Sequence, residues 1–306
     1  MDLSVVVPTL NARDRLAAAL DDLGTHVPDA EVIVVNGPSA DGTSGMVREH
    51  AVPDVLLELS ERNLNASRNA GIAVASGNVV AFVGQDSRVR EDWFPALCEA
   101  FEDGAAVVTG PVHRRVAGGV TTESLEQATI VDREVSYFDG GNVAFRRDVV
   151  DAIDGFDEYL HTGAARDAAH RLAAMGRDVS WHPDMVVLRE ETDDVKHRIG
   201  GDQDATAWGL KYRSLTYRLT KNYGLRFTVG LRAIRHALSD AAAVAFDVAR
   251  GEEVPSAWIG NGRAVITNAI GGAQDGLAAR VADRSPRRNP NGVSSRMNRA
   301  VARYDL

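Results

Sequence analysis

The chain has 306 residues, of which 44% are hydrophobic, so it is long enough for one large domain and a smaller appendage with a substantial core. Its single cysteine, Cys98, excludes an intrachain disulfide, and no stretch reaches the ~18 uncharged apolar residues of a membrane-spanning helix. The net charge of −9 is unevenly spread, because residues 1–195 hold 34 acids against 16 Arg and no Lys, whereas residues 196–235 hold nine Lys or Arg against two acids.

Strand-like and helix-like patterns alternate through the first 110 residues. The predicted strands are Leu3–Pro8, Glu31–Val35, Asp54–Leu59, Val79–Val83, Ala105–Val108 and, further along, Met185–Leu188. The predicted helices are Asn11–Leu23, Gly45–His50, Ala66–Ala75 and Glu91–Phe101. This alternation predicts an α/β fold with a mostly parallel sheet. Ligands of such sheets bind beyond the carboxyl ends of the strands, so we expect the site in the loops after Val7, Val35 and Val83.

The pattern changes beyond about residue 190, where no strand is predicted. Residues 191–283 read as a basic helical region that includes an apolar helix over Ala237–Ala249, and the Arg-rich, proline-broken stretch 284–306 is predicted to be flexible. Residues 208–235 interleave Lys and Arg with Leu, Tyr and Phe, which is typical of a helix lying on an anionic membrane surface. Packing on the larger domain is the second interpretation, and nucleic acid is a distant third that we do not expect.

Six motifs follow one another between residues 3 and 190: SVVVPTLN, EVIVVNGPSADGT, NASRNAGIAVASGNVVAFVGQDS, GGNVAFRR, GFDE and RDAAHRLAAMG. One such motif is weak evidence, but six in this order and spacing resemble the inverting family-2 glycosyltransferases. The resemblance implies a GT-A fold over residues 1–190. It also implies transfer of a hexose or hexuronic acid from a UDP- or GDP-sugar to a saccharide linked to dolichyl or polyprenyl phosphate.

The acidic, Lys-poor composition is typical of salt-loving microbes, and equally of a GC-rich genome that favours Arg codons. Together with this composition, the sequence is similar to archaeal enzymes of S-layer N-glycosylation. Such an enzyme would act as a peripheral protein on the cytoplasmic face of the cell membrane. That expectation depends on family analogy alone.

The resemblance also implies a donor site at the carboxyl edge of the sheet. Asn36 stands where the family has an aspartate that contacts the base, and its amide can both donate and accept a hydrogen bond. Taken alone, NGPSADGT is equally an ordinary strand-to-helix turn. The predicted donor-binding residues are Pro8, Thr9, Asn11, Asn36, Asp41, Arg68, Gln85 and Arg189.

Gly84-Gln85-Asp86 takes the place of the family's Asp-x-Asp motif, so Asp86 is the predicted ligand for Mg²⁺ or Mn²⁺. The alternative is that Asp86 caps the following turn. Because the first acid is missing, we expect the cation to bind weakly or to be dispensable. Arg189 stands where the family often has a metal-binding histidine, and its five donors suit a departing diphosphate. We therefore hypothesise that Arg189 takes over part of the metal's role.

For catalysis the resemblance indicates Asp167, in the position of the base that removes the acceptor's proton. The alternative for Arg166-Asp167 is a surface pair on an amphipathic helix. Gly141 and Asn142 are predicted to lie on the acceptor side. The rival function is a non-catalytic GT-A scaffold that binds glycan or partner enzymes. A NAD-dependent oxidoreductase is set aside because no G-x-G-x-x-G motif follows the first strand.

Overall fold

The computed structural model describes residues 1–116, 119–122, 125–190, 202–228, 230–232, 234–236, 238–239 and 255–306. Its strands are β1 (Leu3–Thr9), β2 (Glu31–Asn36), β3 (Val55–Leu59), β4 (Val79–Val83), β5 (Ser87–Val89), β6 (Val107–Thr109), β7 (Val112–Val116), β8 (Gly119–Thr122), β9 (Gln127–Ile130), β10 (Arg133–Ser136), β11 (Asn142–Arg146), β12 (Val179–Trp181), β13 (Val187–Glu190) and β14 (Ala300–Asp305). Its helices are α1 (Arg13–His26), α2 (Thr43–Glu49), α3 (Leu64–Val74), α4 (Trp93–Glu102), α5 (Arg147–Ala152), α6 (Ala164–Ala174), α7 (Asp202–Tyr223) and α8 (Pro255–Ala282).

The main sheet has eight strands in the order β12-β6-β11-β4-β1-β2-β3-β14. The strands β4, β1, β2 and β3 are mutually parallel, and β12 runs parallel to β6. The antiparallel strands are β11, inserted between β4 and β6, and β14, added beside β3. Apolar side chains form a buried cluster on each face of this sheet, which explains why β1 reads as a continuous β-branched run. The predicted α/β fold with a mostly parallel sheet is confirmed.

A second sheet carries the site. It has four strands in the order β5-β13-β7-β8, and the short hairpin of β9 and β10 lies apart from it. In this sheet β13 runs antiparallel to β5 and places Arg189 opposite Ser87, directly after the Gly84-Gln85-Asp86 turn. The pairing brings residues about 100 positions apart in sequence to the same point of the surface.

The two long helices at the C-terminal end run parallel and in close contact. A Cβ built at Gly272 would lie 2.2 Å from the Arg213 carbonyl oxygen, and one at Gly276 would lie 2.5 Å from that of Tyr217. Only glycine permits this approach of α8 to α7. No helix among the residues that the structure describes is long and apolar enough to cross a membrane. The predicted helix Ala237–Ala249 falls almost wholly outside the described residues.

The prediction of a flexible tail over 284–306 is wrong. Strand β14 pairs with the edge strand β3, and the preceding loop packs on the GFDE segment. The Asn289 amide donates to the carbonyl oxygen of Asp154 at 2.8 Å, and Arg299 and Arg296 both form ion pairs with Glu158. The arginines on which the prediction of disorder depended therefore form ion pairs with a carboxylate of the folded domain.

Candidate active site

The loops after β1, β2 and β4 lie side by side at the carboxyl edge of the main sheet. The Gln85 Oε1 accepts hydrogen bonds from the Leu10 backbone N–H at 2.8 Å and from the Thr9 hydroxyl at 3.0 Å. The Asn11 Oδ1 accepts one from the Ala40 backbone N–H at 2.8 Å. Gln85 thus joins the β4 loop to the β1 loop, and Asn11 joins the β1 loop to the β2 loop.

The β2 loop is fixed by its own side chains. Asn36 is 1% exposed; its Nδ2 donates to the Ser44 hydroxyl at 2.8 Å and its Oδ1 accepts from the Ser39 hydroxyl at 2.7 Å. Asp41 accepts from the Thr43 backbone N–H at 3.1 Å. Burial raises the pKa of Asp41, but the hydrogen bonds from Thr43 and its neighbours outweigh this and lower it. These side chains shape the loop that we predicted to contact the nucleotide.

A cluster of charges lies beside the β4 turn. Arg189 Nε is 3.4 Å from Asp86 Oδ1, and Arg189 Nη2 is 3.2 Å from Asp139 Oδ1 and 3.2 Å from the Ser87 hydroxyl. The Gly141 backbone N–H donates to Asp139 Oδ1 at 2.7 Å. Burial raises the pKa of Asp139, but the charge and hydrogen bonds of Arg189 and the Gly141 bond hold it below its usual value. Asp139 is therefore ionised at neutral pH.

The residues of this cluster do not fit a resident divalent cation. Among the residues that the structure describes, no group of three or more His, Cys, Asp and Glu side chains is placed to hold a metal. Two carboxylates and substrate phosphates can suffice for Mg²⁺, so the number of acids is not the obstacle. The obstacle is Arg189, whose guanidinium already pairs with both Asp86 and Asp139. A cation bound to Asp86 would have to displace it.

Arg68 lies on the other side of Asp139, on α3. It is 8% exposed; its Nη1 donates to Asn65 Oδ1 at 3.0 Å and its Nη2 to the Gly140 carbonyl at 2.9 Å. Its Nε is buried and has no hydrogen-bond partner. Burial lowers the pKa of Arg68 to about 10, with Asp139 opposing and Arg189 adding to this effect. The side chain is therefore a buried cation whose hydrogen bonds go to neutral partners.

A cavity of about 670 Å³ opens beside Arg68, within the size range of small-molecule sites. It is lined by the start of α6, by the segment before β11, by Trp181 and by one face of α7. Its charged residues are four cations, Arg68, Arg166, Lys211 and Arg218, and two acids, Glu126 and Asp139. With neutral histidines the lining is therefore net positive, which favours an anionic ligand.

Comparison with known proteins identifies the family. The sequence model of glycosyl transferase family 2 matches residues 4–156, which include the β1, β2 and β4 loops and the Asp139 segment. The chain belongs to glycosyl transferase family 2.

Relatives and solved structures agree with this family-2 glycosyltransferase assignment. The pre-mycofactocin glycosyltransferase of Mycobacterium tuberculosis is 25% identical over 64% of this chain and 44% of its own length. The glycosyltransferase AglE of Haloferax volcanii is 25% identical over 59% of this chain and 66% of its own. The chain thus spans less than half of the first relative.

Two solved structures share the GT-A fold at low identity. A mannosyltransferase of Pyrobaculum calidifontis, solved with GDP-Man and Mn²⁺, has a TM-score of 0.55 and 18% identity over 92% of this chain and 88% of its own. Staphylococcus aureus TarS 1–349, solved with UDP, has a TM-score of 0.58 and 16% identity over 93% and 91%. These likenesses establish the GT-A fold of the chain.

The structure contradicts the prediction that Asp167 is a catalytic base. The side chain is completely buried and does not line the cavity. Its Oδ2 accepts from Lys221 Nζ at 2.7 Å and Arg171 Nε at 2.8 Å, and its Oδ1 accepts from the Asn222 amide at 2.8 Å. Burial raises its pKa, but Lys221 and Arg171 outweigh this and lower it. Asp167 therefore fastens α6 to α7, and the first turn of α6 presents Ala164 and Ala165 to the cavity instead.

Gly141 and Asn142 also lie elsewhere than on the acceptor side. Asn142 is completely buried, accepts from the Trp93 indole N–H at 2.9 Å and donates to the Met185 carbonyl at 2.8 Å. A Cβ at Gly141 would lie 2.9 Å from Arg189 Nη2. Gly141 therefore leaves room for the Arg189 guanidinium, and Asn142 links β11 to the segments that carry Trp93 and Met185. Neither residue lines the cavity.

Sequence reasoning missed Asp139, Lys211 and Arg218. Asp139 directly precedes the GGN motif. A charged residue at that position was the sequence signal that could have identified it as part of the site. Lys211 and Arg218 are seven residues apart on α7 and share one face with Leu215, a spacing that fits two turns of helix. The same spacing predicts a helix that faces a membrane. The sequence around α7 gives no sign that this face covers a cavity. Of the predicted donor residues, Pro8 is buried within β1.

Proposed function

We propose that this glycosyltransferase uses a UDP- or GDP-sugar as donor and transfers its sugar, with inversion, to an acceptor in the Arg68 cavity. The observation that carries the proposal is the pair of guanidiniums at the sheet edge, Arg68 and Arg189, one on each side of Asp139. Both have donors close to the loop where a nucleoside diphosphate would lie in this fold. The GDP-Man and UDP present in the two solved relatives support the same donor class.

The chemistry is a direct displacement at C1 of the donor sugar. The acceptor oxygen forms a bond to C1 from one side while the bond from C1 to the diphosphate oxygen breaks on the other. The departing diphosphate keeps the electron pair and gains negative charge. Arg68 is fixed by packing and hydrogen bonds before the reaction, so it can stabilise that charge with little reorganisation. Arg189 would exchange one of its carboxylate partners for a phosphate oxygen.

Arg189 supplies the positive charge that a divalent cation would otherwise bring to the diphosphate. Its guanidinium can donate two parallel hydrogen bonds to phosphate oxygens, which a point charge cannot do. We propose that donor binding does not need a resident metal in this protein. A phosphate entering beside Arg189 would compete with Asp86 and Asp139 for the same donors, and the structure keeps both acids at hydrogen-bond or ion-pair distance.

The test is nucleotide release by the purified chain with a panel of UDP- and GDP-sugars. Arg68→Gln is expected to lower kcat/KM for the active donor by about 10- to 100-fold, because a charged donor to the diphosphate is lost. Arg146→Gln is the matched control, since Arg146 is half exposed and pairs with Asp148 on the surface, away from the cavity. Equal loss in both variants, or none in either, contradicts the proposal.

A lipid-linked acceptor is proposed from the segment after α7. Its described residues between Phe227 and Ser239 are helical, and large apolar side chains there stand in solvent beside arginines. The exposed apolar residues are Leu225 (72%), Phe227 (84%), Leu231 (46%), Ile234 (57%) and Leu238 (64%). Apolar side chains interleaved with Arg226, Arg232 and Arg235 suit the interface of an anionic membrane.

We propose that this segment holds the protein on the cytoplasmic membrane face, where it acts on a dolichyl- or polyprenyl-phosphate-linked acceptor in N-glycan or S-layer assembly. Co-sedimentation with vesicles containing anionic lipid tests it. The double variant Leu225→Ser and Phe227→Ser should lose binding, whereas Met297→Ser, which removes an equally exposed apolar side chain (83%) elsewhere, should not.

The second candidate is a non-catalytic GT-A scaffold. It is favoured by one observation: the two carboxylates that line the cavity, Glu126 and Asp139, both form ion pairs, with Arg166 and Arg189. A scaffold would bind UDP or GDP in a thermal-shift assay and release no nucleotide from any sugar donor. An enzyme would bind UDP or GDP and would also release the nucleotide from a sugar donor.

A further inference from the structure

Trp181 is the last residue of β12, which is an edge strand of the main sheet. It pairs with Thr109 of β6, and Thr109 pairs in turn with Val143 of β11. Because alternate residues of a strand share a face, Trp181 projects to the same side as Val179, which belongs to the apolar cluster that includes α6. The strand register therefore places a large aromatic ring where the carboxyl edge of the sheet meets the cavity.

The ring of Trp181 differs from the other tryptophan rings that the structure describes. Trp93 is completely buried and donates to Asn142 at 2.9 Å, and Trp208 packs on an apolar cluster and stacks on Tyr212. Trp181 is half-buried, belongs to neither apolar cluster and lines the cavity. Within the described part of the chain, its ring contacts no aromatic ring or cation, and its indole N–H donates to no acceptor. Trp181 thus gives its flat apolar surface to the cavity.

A flat aromatic surface in a polar cavity suits a ligand with one apolar face and a polar edge. The face of an indole ring carries partial negative charge, which attracts the C–H groups on one face of a pyranose ring. Stacking also removes those C–H groups from water. It leaves the hydroxyl groups at the edge of the sugar free to form hydrogen bonds. A sugar ring therefore fits this surface better than an isoprenyl chain or an isolated phosphate.

The order of the strands indicates which part of the reactants lies on Trp181. In the proposed function, on which this inference rests, the nucleoside lies at the β1 and β2 loops and the diphosphate at Arg68 and Arg189. Strand β12 is five strands from β2 and two from β11, so these separations are about 24 Å and about 10 Å. The base is therefore out of reach of Trp181. Trp181 lies beyond the diphosphate, on the side from which an acceptor must approach C1.

The cavity also supplies polar groups for the hydroxyls of a sugar. Glu126 and Arg166 form an ion pair on its wall, with Arg166 Nη1 2.9 Å from Glu126 Oε1. Both side chains remain partly exposed, at 55% and 39%. A carboxylate accepts hydrogen bonds and a guanidinium donates them, so the pair can bind two neighbouring hydroxyls of one ring. A saccharide finds both an apolar platform and polar partners in the same cavity.

We propose that the acceptor is a saccharide and that its terminal pyranose ring stacks on Trp181. The stacked ring directs one hydroxyl towards C1 of the donor sugar, and the Glu126–Arg166 pair holds others. Trp181 takes no part in breaking or forming bonds. It selects a sugar over an alcohol or a phosphate that carries no sugar.

The first measurement is binding, followed by tryptophan fluorescence. The purified full chain, with UDP or GDP present, is titrated with the methyl glycosides of glucose, galactose, mannose and glucuronic acid, and with farnesyl phosphate. At least one glycoside should change the emission, and farnesyl phosphate should not. The chain has four tryptophans, so Trp181→Phe should remove most of the change while calorimetry still detects binding.

Kinetics then separate the acceptor from the donor. With the glycoside that binds and the donor identified by nucleotide release, Trp181→Leu should raise the KM for the glycoside by about tenfold or more. The KM for the donor should stay within about twofold. Trp181→Phe should recover most of the loss because it keeps an aromatic face. Phe94→Leu is the matched control, since Phe94 is a half-buried aromatic residue that packs on an apolar cluster outside the cavity. It should lower Tm and leave both KM values unchanged.

Three results would overturn the saccharide platform and leave the proposed donor chemistry standing. These are transfer to farnesyl phosphate alone, an unchanged glycoside KM in Trp181→Leu, and a donor KM that rises in this variant while the glycoside KM does not. Failure of wild type to bind any of the glycosides would overturn it as well. Glycoside binding that depends on Trp181, with nucleotide released from no donor, would support the saccharide site and refute the proposed transfer.

Discussion

Replacing Asp167 by asparagine separates a structural carboxylate from a catalytic one. In the native structure this acid is the partner of Lys221 and Arg171, and all three side chains are completely buried. Removing one member of a buried ion-paired group costs about 3–5 kcal/mol, because the remaining charges lose their compensation. At roughly 2 °C per kcal/mol for a protein of this size, Tm should fall by about 6–10 °C.

The assay is thermal unfolding of wild type, Asp167→Asn and a control, Asp148→Asn, whose side chain is 62% exposed. The control should differ by less than about 0.5 kcal/mol. Nucleotide release by folded Asp167→Asn is measured well below its Tm. Its rate should fall by much less than it would if a catalytic base had been removed. An Asp167→Asn protein with the Tm of wild type and no transfer activity would refute this reasoning and restore Asp167 as the base.

The same carboxylate gives an acid-side pH dependence. Its pKa in the folded state lies below the ordinary aspartate value of 3.8, so its contribution to stability is complete above that value. As the pH falls through the folded pKa, the group protonates in both states and the contribution disappears. The Tm difference between wild type and Asp167→Asn should therefore be constant near neutrality and shrink only below about pH 4.

Three further outcomes are expected. Gly140→Ala should weaken donor binding, because the new Cβ would lie 2.6 Å from Arg68 Nη2 and would displace that guanidinium; calorimetric titration with UDP and GDP measures this. Asn289→Ala should lower the free energy of unfolding by about 0.5–1.5 kcal/mol in urea, because the carbonyl oxygen of Asp154 loses one of its two donors and keeps the Val293 backbone N–H. Burial, with nearby cations, holds the pKa of His170 well below 6.5, so stability should be lost as the pH falls below about 6.5, and less so in His170→Phe; Tm at pH 5.5 and 7.5 checks this.

Local sequence pattern was sufficient for the main sheet. The runs Leu3–Pro8 and Val79–Val83 are rich in valine and have no alternating polar positions, because both faces of these strands are buried. The loops that follow them are therefore identifiable from the sequence. The positions of Gln85 and Arg68 at the sheet edge follow from that alternation. Comparison of motif order then sufficed for the family.

The role of Asp167 could not be read in the same way. A motif on a helix does not say which of its residues faces the cavity, and the partner that decides the matter, Lys221, lies 54 residues further along. The ordered tail was missed for the same reason, since Arg299 finds Glu158 at a separation of 141 residues. Because these ion pairs join residues far apart in sequence, the local pattern could show neither that Asp167 is buried nor that the tail is ordered.

We propose that the guanidinium of Arg189 holds the donor diphosphate in place of a metal. Calorimetric titration of the chain with UDP and GDP, in EDTA and then with Mn²⁺, tests it most directly. We predict that one nucleotide binds in EDTA and that Arg189→Gln weakens this binding by about tenfold or more. Binding that requires Mn²⁺, and that Arg189→Gln leaves unchanged, would contradict the claim.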